Sequence, residues 1–255
     1  MSLEIRQFPC LSDNYGFLLH DATTGACAAV DTPDAEAIDA ELAKAGWRLT
    51  HILNTHHHYD HAGGNLALKD KWGCEIVGPK GEADKIPGLD RAVGEGDLVT
   101  LGASEAHVVD TPGHTAGHVV YYFPKARAAF VGDTIFAMGC GRLFEGTASD
   151  MSASLAKIAA WPDDTTLYCA HEYTEANGRF ALTVDPDNPV LKARMEEVLS
   201  ARAAGRPTVP TRLDIEKDTN PFLRAADAGV RTALGMQGAG NLDVFAEIRH
   251  RKDRF

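Results

Sequence analysis

Over the first half of the chain apolar residues come in short alternating or continuous blocks, and over the last third they recur at helical spacing. Blocks at 4–8, 16–20 and 26–31 predict an antiparallel meander, with the Asp-Ala-Thr-Thr-Gly of 21–25 as a turn. Residues 34–45 predict a helix, because Ala35, Ile38, Leu42 and Ala45 share one face. A short strand at 52–54 follows, then a turn permitted by Gly63-Gly64 into a helix over 65–71. Strands are predicted at 75–77, 97–101, 106–111, 118–123 and 128–132, a helix at 151–160 and a strand at 166–170. Beyond that the pattern turns helical, at 188–204 and 242–249, across the Gly-, Pro- and Thr-rich stretch 205–211. Strands dominate up to about residue 132, an α/β chain is expected, and a boundary is expected between 1–172 and a helical 173–255. No internal repeat or low-complexity tract is visible.

Composition changes this picture little. A chain of 255 residues with 44% apolar and 24% charged residues buries a sizeable core and is not disordered. No apolar run approaches a membrane span, and Met1-Ser2-Leu3-Glu4-Ile5-Arg6 enters a strand-like alternation in place of a signal peptide. The five cysteines are scattered, without a C-x-x-C pair, which fits free thiols in a reducing compartment and a cytoplasmic protein. A formal charge of -11 opposes non-specific nucleic-acid binding, so an anionic substrate needs a local basic pocket.

Chemistry concentrates in Thr55-His56-His57-His58-Tyr59-Asp60-His61, which holds four of the 11 histidines directly after the apolar pair Ile52-Leu53. Neutral imidazole is the commonest metal ligand. If the loop stays extended, His56 and His58 lean one way and grip one ion, with His57 turned away into a supporting role. Adjacent Asp60 and His61 diverge, so one of them reaches a second ion. Three further residues stand just beyond predicted strands: His114, Asp133 and His171. Adding them gives His56, His58 and His114 for one ion and Asp60, His61 and His171 for its neighbour, with Asp133 able to bridge. Five imidazoles and two carboxylates suit zinc, iron or manganese and not a thiolate cage. Two dications exceed the charge of two carboxylates, lower the pKa of bound water and polarise a carbonyl, so hydrolysis is the natural chemistry. Cys140 and Cys169 read as small buried thiols, and His20, His51, His107, His118 and His250 as ordinary histidines. Asp13-Asn14 reads equally as a turn or as support for the site.

His56-x-His58-x-Asp60-His61 with His114, Asp133 and His171 resembles the metallo-β-lactamase superfamily, whose fold is an αβ/βα sandwich with metals at one sheet edge. Asp13-Asn14-Tyr15, the segment 139–147 (Gly-Cys-Gly-Arg-Leu-Phe-Glu-Gly-Thr), His171-Glu172-Tyr173-Thr174, Asn220-Pro221-Phe222-Leu223-Arg224 and the basic terminus 249–255 are similar to the glyoxalase II family. That resemblance implies hydrolysis of S-D-lactoylglutathione to D-lactate and glutathione by a hydroxide shared between two metal ions, zinc before iron or manganese, in the second step of methylglyoxal detoxification. It implies Asp60 and Asp133 as catalytic residues. Arg249 and Lys252 are expected on the glycine carboxylate of glutathione, and Arg142, Phe144 and Tyr173 on the rest of the peptide. Some family members carry Lys and Tyr where this chain has Arg142 and Phe144. The expected partner is a small-molecule thioester, with no nucleic acid or membrane, and the protein is expected to be a monomer.

Competing readings are a mononuclear iron dioxygenase acting on glutathione persulfide, an exported metallo-β-lactamase, a nuclease of the superfamily and a non-catalytic metal-binding module. The helical C-terminal extension, the absence of a visible export signal, the acidic balance and the full ligand set speak against them in that order.

Overall fold

The computed structural model describes residues 3–255. Met1 and Ser2, which open the expected alternation, lie outside the described residues. The described residues form two compact units, one from residues 3–110 with 116–132 and the other from 111–115 with 133–255. The expected division at residue 172 lies inside the second unit.

In the first unit β1 (Leu3–Cys10), β2 (Asn14–Asp21) and β3 (Cys27–Val30) form the predicted meander, with Leu3 opposite Asp21 and Phe17 opposite Val30. α1 (Ala35–Ala45) follows, its first turn capped by Asp34, whose carboxylate accepts from the N–H groups of Glu36 and Ala37. β4 (His51–Leu53) then returns parallel to β3. After α2 (Tyr59–Ala62) and α3 (Asn65–Trp72), β5 (Glu75–Pro79) and β6 (Arg91–Val93) extend the same sheet in parallel. A second meander runs through β7 (Leu98–Leu101), β8 (Ser104–Asp110), β9 (Val119–Phe123) and β10 (Ala128–Gly132).

Strand β2 is buried on both faces, which explains its unbroken apolar run. Leu18 packs with Ile38 and Leu42 of α1 and Leu68 of α3, while Phe17 meets Phe130 of the second meander edge-on at 5.6 Å. Ile38 and Leu42 are fully buried, and each contributes about 1.5–3 kcal/mol by leaving water. The layers are therefore helix, sheet, sheet, and the metal-capable loop leaves the end of the central strand β4.

In the second unit β11 (Ile135–Phe136) and β12 (Gly139–Cys140) pair across a tight turn in which Met138 has φ 56°. α4 (Ala148–Ala159) begins in a capping box between Thr147 and Asp150. β13 (Thr166–Cys169) leads to α5 (Thr174–Val184) and α6 (Pro189–Ala203), and β14 (Thr211–Arg212) pairs antiparallel with β13. α7 (Leu213–Thr219), α8 (Ala228–Leu234) and α9 (Asn241–Asp253) complete it. Its core joins Met138, Ala181, Leu191, Met195 and Val198. A buried Arg194–Glu216 pair at 2.5 Å is satisfied on every side by Thr211, Thr219, Asn220 and the Met138 N–H. Removing one partner of such a pair costs roughly 3–5 kcal/mol.

The observed helices α5, α7 and α8 lie where no helix is predicted. α5 carries Gly178 and the β-branched residues Thr183 and Val184, which weaken its propensity, so packing decides it.

Candidate metal centre

The ligand loop departs from the extended conformation expected for it. Residues 59–62 close a helical turn, so Asp60 and His61 diverge by about 100° around a helix axis instead of alternating across a strand. His56 and His58, before that turn, behave as expected: His56 Nε2 and His58 Nδ1 stand 3.0 Å apart. Two ring nitrogens that close need a proton between them or a cation in common.

Asp31 sets the tautomers. This buried carboxylate directly follows β3 in the left-handed region, with φ 58°. Its Oδ2 accepts from the Thr55 hydroxyl at 2.8 Å and from His61 Nδ1 at 2.8 Å, and its Oδ1 takes the Thr55 N–H at 2.8 Å. Thr55 spends its hydroxyl proton on Asp31 and so accepts from His56 Nδ1, 3.0 Å away. Protons on Nδ1 leave Nε2 of both His56 and His61 as lone-pair nitrogens. Asp60 Oδ2 lies 3.5 Å from His61 Nε2 and accepts from Asn14 Nδ2 at 3.1 Å. Asn14 thus supports the site as well as ending the β1–β2 turn. His57 turns away from the other donors and bonds Glu82.

The second unit supplies the scattered donors. Asp133 places one oxygen against each of two imidazoles: Oδ2 is 3.4 Å from His114 Nε2, and Oδ1 is 3.4 Å from His171 Nε2. A carboxylate divided in this way suits a bridging role. His114 Nδ1 donates to the Arg142 carbonyl at 2.8 Å, and a carbonyl only accepts, so Nε2 again carries the lone pair. A Cβ at Gly141 would meet the Asp133 carbonyl at 2.0 Å and His114 Nδ1 at 3.0 Å, so this close approach admits glycine alone.

The residues expected to touch a substrate all belong to this unit. The Phe144 ring is 61% exposed and meets His114 edge-on at 5.3 Å. Tyr173 stacks on His171 at 4.7 Å with an interplanar angle of 2°. Arg142 is exposed, 3.7 Å from Asp253. Lys252 packs over Phe180 and Phe255, and burial together with the nearby Arg249 guanidinium holds its ammonium below the usual lysine range. Arg249 is placed differently from the other two cations. It is 6% exposed, donates to the Cys140 carbonyl at 3.0 Å, pairs with Asp253 at 2.7 Å and lies over Phe222. It therefore props β12 against α9, with each of its three nitrogens engaging an acceptor of the second unit. Cys140 beside it is a buried thiol pushed up to about 11 by burial.

Asp31 and Glu82 were not among the predicted residues. Asp31 carries the same signal that picks out Asp133, a carboxylate just past a buried strand. Glu82 carries no sequence signal of its own. The donor set as a whole, five imidazoles and two carboxylates, is compatible with a binuclear metal site.

Residues 29–171 match the Metallo-beta-lactamase superfamily, and residues 172–255 match the Hydroxyacylglutathione hydrolase C-terminus. The chain is 57% identical to the hydroxyacylglutathione hydrolase of Brucella anthropi over 99% of this chain and 97% of that protein. It is 55% identical to the hydroxyacylglutathione hydrolase of Maricaulis maris over 99% of each. Among solved structures, ETHE1 from Myxococcus xanthus superposes with a TM-score of 0.70 at 26% identity, covering 97% of this chain and 90% of that one. No helix among the described residues is long and apolar enough to cross a membrane. The chain belongs to the hydroxyacylglutathione hydrolase family of the metallo-β-lactamase superfamily.

Proposed function

We propose that the chain hydrolyses S-D-lactoylglutathione and related 2-hydroxyacylglutathione thioesters to the hydroxy acid and glutathione, the second step of methylglyoxal detoxification. The observation that carries this reading is the Gly141-Arg142 peptide. It packs against Asp133, accepts a hydrogen bond from His114 Nδ1–H at the Arg142 carbonyl and presents the exposed Arg142 guanidinium, so one short segment both orients donors and offers a cation to an anionic substrate.

In this reading His56, His58 and His114 hold one divalent ion, Asp60, His61 and His171 hold a second, and Asp133 serves both. Zinc is the proposed metal, and iron or manganese accepts the same donors. When bound, the ions supply water that ionises near neutral pH and a Lewis acid for the thioester carbonyl. Asp60, aligned by Asn14, orients the attacking water. Arg142 and Lys252 attract the substrate carboxylates, and Phe144 and Tyr173 line the peptide. Arg249 positions the segment that carries Arg142. The departing thiolate, with a solution pKa of roughly 8.5, needs no general acid. Residues 1–172 then form the catalytic domain and 173–255 a helical substrate-binding domain, in a cytoplasmic monomer.

The test is metal analysis of the purified protein together with loss of thioester absorbance for S-D-lactoylglutathione against other acyl glutathiones. Two metals per chain with rapid thioester loss is the expected result. Oxygen uptake with glutathione persulfide, without thioester cleavage, would overturn the reading.

A further inference from the structure

Glu82 lies in the helical turn Lys80–Lys85 after β5 and is only 2% exposed. A carboxylate so deeply buried is tolerated only where donors surround it. Its Oε2 accepts the His57 backbone N–H at 2.8 Å and His57 Nδ1 at 2.7 Å, and its Oε1 accepts the Gly117 N–H at 2.9 Å. Those partners have one thing in common. His57 stands between the paired donors His56 and His58, and Gly117 precedes His118, whose ring stacks on His56 at 4.8 Å and 26°. The next N–H along, that of Val119, donates to the Thr55 carbonyl at 2.9 Å. One carboxylate therefore fixes the central peptide of the ligand loop and the peptide that carries the ring covering His56.

Two glycines make room for this contact. A Cβ on Gly117 would meet Glu82 Cγ at 2.6 Å, and one on Gly81 would meet Gly117 Cα at 2.9 Å. A solvated surface glutamate requires neither the burial nor the two backbones drawn together around it.

We propose that Glu82 is a positioning residue for the metal loop: by clamping the His57 peptide against Gly117 it holds His56 and His58 in convergence and sets their affinity for metal. This rests on the metal-centre reading above. Rotation of the residue-57 peptide moves the residues on either side of it, so without the clamp the ion must order the pair as it binds.

Glu82→Gln tests this with little change of shape, because an amide nitrogen has no lone pair for an N–H and at least one of the contacts is lost. The zinc Kd of metal-free protein is measured by competition with a chelating dye, and the urea unfolding midpoint is measured on the same metal-free samples. The expected result is zinc binding weaker by about 10–100-fold, with the metal-free midpoint close to wild type and a shifted visible spectrum in the cobalt-loaded variant. A zinc Kd within about twofold of wild type overturns the proposal, taking 10-fold as the least effect of losing such a support. If Glu82→Gln does not fold, Gly117→Ala, which displaces the carboxylate and keeps its charge, carries the same expectation and the same refutation. Wild-type protein that itself binds no zinc defeats the metal-centre reading and this proposal with it, an outcome distinct from normal binding by the variant.

Discussion

The two sets of metal-capable residues are built in opposite ways. In the first unit His56, His58, Asp60 and His61 fall within six residues of one loop, and the adjacent Thr55 with the sequence-distant side chains of Asp31 and Asn14 orients them. In the second unit His114, Asp133 and His171 come from three separate connections, and packing brings each histidine to 3.4 Å from Asp133. The local set has side-chain buttresses. In the scattered set a backbone carbonyl, that of Arg142, orients His114, Phe144 packs on His114 and Tyr173 stacks on His171. A compact ligand loop can therefore be kept for metal chemistry while the dispersed set is free to acquire specificity.

The sharpest way to break this comparison is Asp133→Ala. Because Asp133 faces both His114 and His171, its loss should affect both ions at once, with metal content falling and kcat dropping by about a thousandfold or more. Metal per chain and steady-state kinetics check it, and an unchanged kcat removes Asp133 from the centre.

Next in size are the buttresses. Asp31→Asn keeps the shape but weakens the acceptor shared by Thr55 and His61, and metal affinity should fall about 10–100-fold. In the scattered set the Arg142 main-chain carbonyl orients His114. The counterpart there is Gly141→Ala, whose Cβ would force the Asp133 peptide and the His114 ring away. Comparable zinc losses in the two variants, read by dye competition, would show that a backbone buttress is as effective as a carboxylate. Normal zinc binding in Gly141→Ala would show that the scattered set tolerates displacement.

What could be read from the sequence divides along the same line. The ligand loop and the strands as far as residue 132, except the three-residue β6, are legible because their signals are local: short apolar runs, turn residues and donors at short spacing. The meander, α1 with its Asp34 cap and the α6 start at Pro189 lie close to expectation. Helices α5, α7 and α8 escape because tertiary burial, not periodicity, stabilises them. The helical turn at 59–62 escapes because four residues carry too little pattern. Asp31 and Glu82 escape for a different reason. A buttress is defined by what it touches, and Glu82 reaches His57 across 25 positions of sequence. Arg249 shows the converse: a basic residue in a basic terminus reads as a ligand for carboxylate, and nothing in that local signal shows that its guanidinium is buried against Cys140 and Asp253.

That distinction separates three cations of the second unit, Arg142, Lys252 and Arg249. Arg142→Ala with Lys252→Ala should raise KM for acyl glutathiones about tenfold or more while leaving a simple thioester unaffected, because the loss falls on binding. Arg249→Ala should instead lower stability by about 1.5–3 kcal/mol, from charged hydrogen bonds lost to Cys140 and Asp253. Lys252 adds a pH signature. Its pKa is depressed, so its charge is lost on raising the pH below the ordinary lysine range, and KM for acyl glutathiones should rise there first. Lys252→Gln should abolish that rise. Equal effects on both substrate types would show that the pair does not read glutathione.

The smallest effect belongs to Phe144, where the specific set meets the metal set most directly. Its ring packs edge-on against His114 and is otherwise largely exposed, so the carbon skeleton already does whatever packing the position offers. Phe144→Tyr adds only a hydroxyl at an exposed edge, where it keeps its water until a substrate peptide displaces it. A hydrogen bond formed on that exchange is worth about 0.5–1.5 kcal/mol, so KM for acyl glutathiones should fall roughly two- to tenfold with kcat unchanged. A change in kcat would show that the new hydroxyl disturbs His114. Unaltered KM and kcat would assign the ring to packing on the ligand, and Phe144 would then belong with the buttresses.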